Sequence, residues 1–386
     1  MPTSRHAPSP CSIRRATTAD MPAVLAFIGE TYGPGAPFKD AARLSWQFSG
    51  APWRDDPSDD PALWIAHDGA RVVGTIGVQD GAAWIGAERV PAGWIVDVMV
   101  HPDRRGQGLG HEIHAAVMRE RTTLVTLTMA AATRRIAERA GAITLGPTAQ
   151  FVCPARLGAA TVARYLRYKS AGRGRLAPPL RAFAAYGVGP AAVALAGRAA
   201  ARLRLAARGP RGEALRGFEI EETGRFPEEI DGFWQEVRAE LPAVFDRSAA
   251  ALNWRFADCP GLSYRRFLLR RQGRLRGYLV TRLGVAEELP VGVVADLLVR
   301  PGDAAAADAL LALARETLLP RCDFLEAAAS APFLAAALRR AGFLATRRMH
   351  PTVVCSDPAL RARIAGRRDA WYFTKGDHDW DQVHPV

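Results

Sequence analysis

Lysine is nearly missing from this chain. The 386 residues hold three (Lys39, Lys169 and Lys375) against 48 arginines. With so much Ala and Gly, that imbalance reads as GC-rich coding and not as arginine-specific chemistry. Cysteine is also scarce: Cys11, Cys153, Cys259, Cys322 and Cys355 are scattered, odd in number and without a CxxC pair. That argues against a disulfide framework or a zinc knuckle and points to a reducing cytoplasm. Long apolar runs are lacking too. The longest uncharged one, 182–197, has sixteen residues and is broken by Gly and Pro, whereas a spanning helix needs about 20. The opening MPTSRHAPSPCSIRR has no apolar centre of the secretory kind. What is present is globular: 49% of the residues are apolar, with nine Trp and fifteen Phe. At roughly 150 residues per domain, the length allows two or three cores.

The net charge of +12 is not spread evenly. Residues 1–154 hold 15 basic and 15 acidic residues, residues 217–386 hold 23 and 23, and residues 155–216 hold 13 against the single Glu213. A uniformly basic nucleic-acid binder would not look like this, and no binding motif appears, so nucleic acid is not expected as a partner. In the middle segment Arg flanks both ends of an Ala/Val/Leu-rich stretch. That composition suits helices packed on the domains with Arg towards water, or peripheral contact with acidic membrane lipids.

The chain repeats itself. Leu44-Ser45-Trp46-Gln47-Phe48 returns as Leu252-Asn253-Trp254-Arg255-Phe256, Asp97-Val98-Met99-Val100-His101-Pro102 as Asp296-Leu297-Leu298-Val299-Arg300-Pro301, and Arg139-Ala140-Gly141-Ala142 as Arg340-Ala341-Gly342-Phe343. The offsets are 208, 199 and 201 residues, so the period is a whole domain and not a solenoid unit. We read a first domain over 1–154, a basic, partly apolar helical linker over 155–216 and a second domain over 217–386. Each copy reads as strand, helix, a helix carrying the Trp-x-Phe element, three strands of period two, then helix, strand, helix and strand. In the first copy the later elements fall at 63–67, 71–78, 94–100, 109–121, 124–129, 131–140 and 142–145. The paired aromatics Trp46, Phe48, Trp254 and Phe256 suit core plugs.

One motif is sharp. Arg105-Gly106-Gln107-Gly108-Leu109-Gly110 joins a strand to a helix. Glycines let the backbone turn tightly and approach a ligand. The first amides of the helix have no internal partner and, with the dipole, favour a phosphate. Neither the Walker spacing nor Gly-x-Gly-x-x-Gly is present. The run, with the Val100-His101-Pro102 before it, resembles the signature of the GNAT superfamily of acyl-CoA-dependent N-acyltransferases, and so does the order of elements over about 12–151. Two copies in one chain resemble tandem acyltransferases such as mycothiol synthase.

The resemblance implies an α/β (α+β) fold: two GNAT-like domains, each a mixed, largely antiparallel twisted sheet flanked by helices. It implies acetyl-CoA or another acyl-CoA as co-substrate. The amides of Arg105, Gly106, Gln107, Gly108, Leu109 and Gly110 would hold the pyrophosphate, and the backbone of Val98, Met99 and Val100 would pair with the pantetheine arm. The acceptor would be an amine of a small molecule, an amino sugar or an envelope precursor. In the second copy the glycine run is replaced by Gly302-Asp303-Ala304-Ala305, and a carboxylate stands where phosphate would sit, so no CoA is expected there. The Tyr that many members place before the last helix's terminal Gly is Ala137 here. A non-catalytic acyl-CoA-binding or scaffold module is therefore the alternative.

Asp97, among Trp94, Ile95, Val96, Val98 and Met99, is the catalytic-base candidate, since apolar neighbours favour a proton-accepting carboxylate; a structural Asp is the competing reading, because Asp296 repeats it in a copy without the loop. His101, His111 and His114 read as surface histidines, and no metal site is assigned. The tail 371–381, with three alternate acids, reads as a solvated turn whose aromatics dock on a domain. The expected location is cytoplasmic, with membrane association through 155–216 as an option.

Overall fold

The computed structural model describes residues 11–32, 39–54, 59–69, 71–127, 134, 137–139, 141–155, 163, 191–192, 195, 214–286 and 289–382. The helical-linker reading, and with it the membrane contact, lies outside the described residues, as does most of the helix expected over 131–140. Among the described residues no helix is long and apolar enough to cross a membrane.

In chain order the first half runs β1 (Ser12–Arg15), α1 (Met21–Tyr32), α2 (Ala41–Ser49), β2 (Leu63–His67), β3 (Val72–Ile85), β4 (Glu88–Val100), α3 (Leu109–Glu120), β5 (Thr123–Thr126), β6 (Ile143–Thr144) and β7 (Thr148–Pro154). The second half runs β8 (Glu219–Thr223), α4 (Glu229–Arg238), β9 (Ala243–Phe245), α5 (Ala249–Phe256), β10 (Arg265–Arg271), β11 (Arg274–Ala286), β12 (Leu289–Val299), α6 (Ala304–Leu318), β13 (Phe324–Ala329), α7 (Pro332–Arg340), β14 (Leu344–Met349), β15 (Thr352–Cys355), α8 (Pro358–Ala365) and β16 (Trp371–Tyr372). The period-two strands are longer than their alternation suggests. β3 and β4 form one hairpin with Ile85 opposite Glu88, closed by Gly86 at φ 66°, a left-handed turn position that glycine adopts without penalty.

The chain forms two compact units. One comprises 1–146, 258–261 and 350–369; the other comprises 147–257, 262–349 and 370–386. The first unit's sheet has the order β1-β2-β3-β4-β5-β15-β6, and the second's has β14-β7-β13-β12-β11-β10-β8. Each sheet is mixed: most neighbours run antiparallel, while β4–β5 and β12–β13 are parallel. Along these orders each sheet contains one strand from the far side of a division drawn at 154 and 217. β7 pairs with β13 (Val152 opposite Glu326) and with β14 (Val152 opposite Leu344). β15 pairs with β5 and β6. A strand buried on both edges must satisfy two rows of backbone groups, and hydrophobic patterning says nothing about which copy supplies the partner.

In the first unit α3 lays Leu109, Ile113, Ala116 and Val117 on Trp64, Ala66, Val73, Ile76 and Val78 of β2 and β3. Trp46 and Phe48 of α2 are buried, as are Trp254 and Phe256 of α5. Close packing shows at Gly77, where an added Cβ would come 2.3 Å from the Phe48 ring. The aromatics of the repeat are thus core plugs.

Candidate functional site

β4 is interrupted. Its ladder with β3 runs in step from Ile85–Glu88 to Gly77–Val96 and then jumps to Thr75–Met99, so Asp97 and Val98 together face Ile76. This is a β-bulge. Asp97 takes φ 51°, the left-handed region that few non-glycine residues enter. On its other edge β4 pairs with β5 at Gly93–Leu124 and Trp94–Val125. Among the described residues that flank has no strand partner from Val96 onward, and Val98 is 37% exposed. An open sheet edge of this kind can take an extended ligand as an added strand.

The unpaired flank leads into the glycine loop. His101 Nδ1 accepts from the Asp103 amide at 3.3 Å and starts a one-turn 3-10 helix over Pro102–Arg104. Gly106 and Gly108 then take φ 76° and 88°, and Gly108 opens α3 with no side chain capping it. An added Cβ at Gly106 would meet nothing within 4 Å. Both glycines are therefore set by backbone angle, and open space lies beside the loop. Arg105 Nε donates to the Val100 carbonyl at 3.0 Å, and Gln107 Nε2 donates to the Asp103 carbonyl at 2.9 Å, so both side chains brace the turn. Leu109 is buried in the core, and a Cβ on Gly110 would lie 3.8 Å from Val100. An uncapped helix start with two left-handed glycines has the geometry to cradle an anion.

The second copy has filled its own cradle. Asp303 caps α6, accepting from the Ala306 amide at 3.1 Å, and pairs with Arg276, whose Nε lies 3.0 Å from it. A carboxylate of the chain already takes up the Ala306 amide at this helix start.

Asp97 is not a lone carboxylate among apolar neighbours. Its Oδ1 accepts the Lys39 ammonium in an ion pair whose side chains are 9% and 4% exposed, while its Oδ2 has no hydrogen-bond partner. Thr75 Oγ1 donates to the Asp97 carbonyl at 3.1 Å. Sequence reasoning passed over Lys39, yet a signal was there. Lys39 stands five residues before Leu44 and Arg247 five before Leu252, the same offset of 208 as the Trp-x-Phe element. Arg247 pairs with Asp296 in turn, Nε to Oδ2 at 3.2 Å. A cation just before the second helix's cap, bound to the Asp of the fourth strand, belongs to both copies.

The histidines are not all at the surface. His101 and His114 are buried, and His101 Nε2 lies 3.1 Å from Glu30 Oε1 on α1. His114 Nδ1 donates to the Gly110 carbonyl at 2.7 Å, leaving Nε2 unpartnered. Burial lowers the His114 pKa below its ordinary 6.5, with His111 adding to the effect. The unfolded chain therefore binds this proton before the folded one does, and His114 costs stability as pH falls below 6.5. A His114→Leu variant should lack this part of the acid sensitivity. Its melting temperature, compared with the parent's across that range, checks this. Among the described residues no group of three His, Cys, Asp or Glu could hold a metal.

The tail is not a solvated turn. Residues 371–382 are packed into the second unit beside β12 and β13. β16 pairs with β9, and the Tyr372 hydroxyl donates to the Leu297 carbonyl. Lys375 Nζ meets Glu326 Oε2 at 2.7 Å with both side chains 1% exposed. Arg247 Nη2 bonds Asp377 Oδ2 at 2.7 Å, and Thr374 Oγ1 donates to Asp296 Oδ1 at 2.8 Å. Asp381 pairs with Arg255 and accepts from the Tyr264 hydroxyl at 2.6 Å. Two of the three acids that read as solvated, Asp377 and Asp381, are counter-ions of buried arginines, because a buried guanidinium must be paired.

Residues 12–142 match the model of the "Acetyltransferase (GNAT) domain" family. No curated protein matches the chain. Among solved structures, a GCN5-related N-acetyltransferase from Anabaena variabilis is similar over 89% of this chain and 72% of its own, at 10% identity and a TM-score of 0.53. A GCN5-related N-acetyltransferase from Kribbella flavida is similar over 90% and 71%, at 14% identity and 0.50. Saccharomyces cerevisiae N-myristoyltransferase, solved with bound myristoyl-CoA and inhibitors, is similar over 90% and 82%, at 10% identity and 0.52. At these identities the likeness is one of fold.

Proposed function

We propose that the chain, whose residues 12–142 match the acetyltransferase (GNAT) domain family, is an acyl-CoA-dependent N-acyltransferase whose active site lies in the first unit. The observation that carries this reading is the uncapped, left-handed glycine loop at the start of α3, set beside the unpaired flank of β4. The amides from Arg105 to Gly110 hold the pyrophosphate, and the backbone of Val98, Met99 and Val100 takes the pantetheine arm. Acyl-CoA, acetyl-CoA or a longer homologue, supplies a thioester carbonyl next to the bulge. The acceptor amine attacks its carbon: the N–C bond forms, the C–S bond breaks with its electron pair on sulfur, and the amine loses a proton. Asp97, within the bulge, is the proton acceptor, directly or through water. With Ala137 where many GNAT members carry Tyr, the thiolate takes its proton from water.

Thiol release from acetyl-CoA tests this, with ethanolamine, glucosamine, spermidine and a tripeptide with a free N-terminus offered as acceptors. Release that depends on one of these amines is expected. Acetyl-CoA binding with no amine-dependent release would leave the binding-module reading in its place.

A further inference from the structure

A small cavity in the second unit is lined by Asp296 and Leu297 of β12, Ala327 of β13, Leu311 of α6 and Leu338 of α7, among others. Asp296 and Leu297 repeat Asp97 and Val98 at the offset of 199. The cavity therefore stands at the counterpart of the β4 flank to which the pantetheine arm is assigned.

Local geometry matches the other lining residues to the first unit. A Cβ on Gly74 would meet the Met99 carbonyl and the Ile113 side chain, and a Cβ on Gly277 would meet the Leu298 carbonyl and the Leu310 side chain. Ile113 and Leu310 are therefore counterparts, and so are the next residues, His114 and Leu311. The Ala142 amide donates to the Ala137 carbonyl at 2.9 Å, as the Phe343 amide donates to the Leu338 carbonyl at 2.9 Å, each just after a glycine of positive φ. Ala137 thus matches Leu338. The parallel pairs Gly93–Leu124 and Gly292–Leu325 match Thr126 with Ala327.

Where the second unit presents two leucines, the first presents the methyl of Ala137 and the imidazole of His114. The smaller side chain leaves room. His114 is 6% exposed, and its Nε2 has no hydrogen-bond partner. A bare buried polar atom is costly, and the leucine at the same place in the second unit shows that packing does not require one. The proton on the ring is placed as well. Nδ1 donates to the Gly110 carbonyl at 2.7 Å, so Nε2 of the neutral ring carries a lone pair. Burial favours that neutral form. His114 thus offers an acceptor, and not the proton that a Tyr at position 137 would give. Of the titratable groups around the ring, His111 on α3 acts on it, and Asp97 on β4 is held by Lys39. Thr126 of β5 and Ala137 carry no charge.

Building on the acyl-CoA reading, we infer that His114 Nε2 accepts an amide N–H of the cofactor's pantetheine arm, which makes acyl-CoA affinity fall in acid. Protonation of Nε2 sets a donor against a donor. By reciprocity the same contact favours the neutral ring, so bound CoA lowers the pH at which His114 titrates.

Calorimetric titration of the full-length protein with acetyl-CoA tests this. His114→Leu, which copies the second unit, should weaken binding about 10-fold at neutral pH, the usual effect of losing one buried hydrogen-bond partner, with the melting temperature retained. His114→Gln keeps an acceptor that does not titrate. Its affinity should stay within a few fold of the parent's and should lack the parent's added weakening below pH 6.5. The His114 ring resonance of the parent, followed by proton NMR, should titrate at lower pH once CoA is added, a shift that a purely structural histidine would not show. Affinity untouched by His114→Leu, or a His114 titration that CoA leaves in place or raises, overturns the inference and leaves the acyltransferase reading standing. If His114→Leu does not fold, the NMR titration of the parent decides alone. No acetyl-CoA binding by the parent overturns both.

Discussion

Arg247→Met should unfold the second unit under conditions where the parent is stable. The guanidinium is 3% exposed as a side chain and bridges Asp296 and Asp377, which are equally buried. Removing it leaves two carboxylates facing each other in a dry core. Breaking a buried ion pair from one side typically costs about 3–5 kcal/mol, a large share of a domain's roughly 5–15 kcal/mol. Urea titration followed by tryptophan fluorescence measures the loss. The sign of the pH dependence separates this cause from simple loss of packing. Burial already pushes the Asp377 carboxyl above its ordinary value, with Arg247 pulling the other way. Without Arg247 the rise is larger, so the folded variant binds protons that its unfolded chain has released. The variant should regain stability as the pH falls towards the ordinary carboxylate range and lose it as the pH rises. A loss of stability that does not vary with pH would show that the ion pair is not what matters at this position. Asp296→Asn and Asp377→Asn added to Arg247→Met should recover part of the loss, since no charge then remains uncompensated.

Gly108→Glu should abolish acyl-CoA binding while leaving the first unit folded. The residue caps α3 at φ 88°. A side chain there costs about 1–2 kcal/mol of backbone strain, and the carboxylate is placed against amides that would otherwise face a pyrophosphate. The second unit contains the matching control. Gly302 has the same φ of 88° with nothing within 4 Å of an added Cβ, and it precedes a helix already capped by Asp303. Gly302→Glu carries the same strain and the same charge, and it should leave acyl-CoA affinity unchanged. Calorimetric titration of both variants should show a fall of at least about 10²-fold for the first, equivalent to roughly 2.7 kcal/mol, and none for the second. Equal losses would mean that the loop of the first copy is not the cradle.

Much of the candidate site was legible in the chain because its chemistry is local. A Gly-x-Gly run between a strand and an amphipathic helix allows few conformations. Both glycines are at positive φ, and the helix starts one residue after the second. The duplication was legible for the same reason: repeated residues at a constant offset need no structure to be seen. That offset also leads to the two cations, Lys39 and Arg247, once both are known to pair with an aspartate. Their roles were not legible, because an isolated basic residue before a helix is usually a solvated one.

By itself the sequence determined that this protein has two copies of one α/β pattern, a glycine-rich strand-to-helix loop in the first copy only, and cores plugged by Trp46, Phe48, Trp254 and Phe256. These are matters of periodicity, glycine placement and side-chain volume, and each acts within a few residues of its cause. Only the tertiary structure decided that β7 belongs to the second sheet and β15 to the first, because an open strand edge is satisfied by any chain of the right register that reaches it. The tertiary structure likewise decided the state of the two aspartates. Asp97 and Asp296 are the same residue in the same repeat. One has an oxygen left bare and the other has none, since a Tyr on the neighbouring strand and a Thr from the far end of the chain reach only the second. Hydrogen-bond partners separated by 18 and 78 residues are set by how the backbone folds back on itself, and no local pattern in the sequence records them.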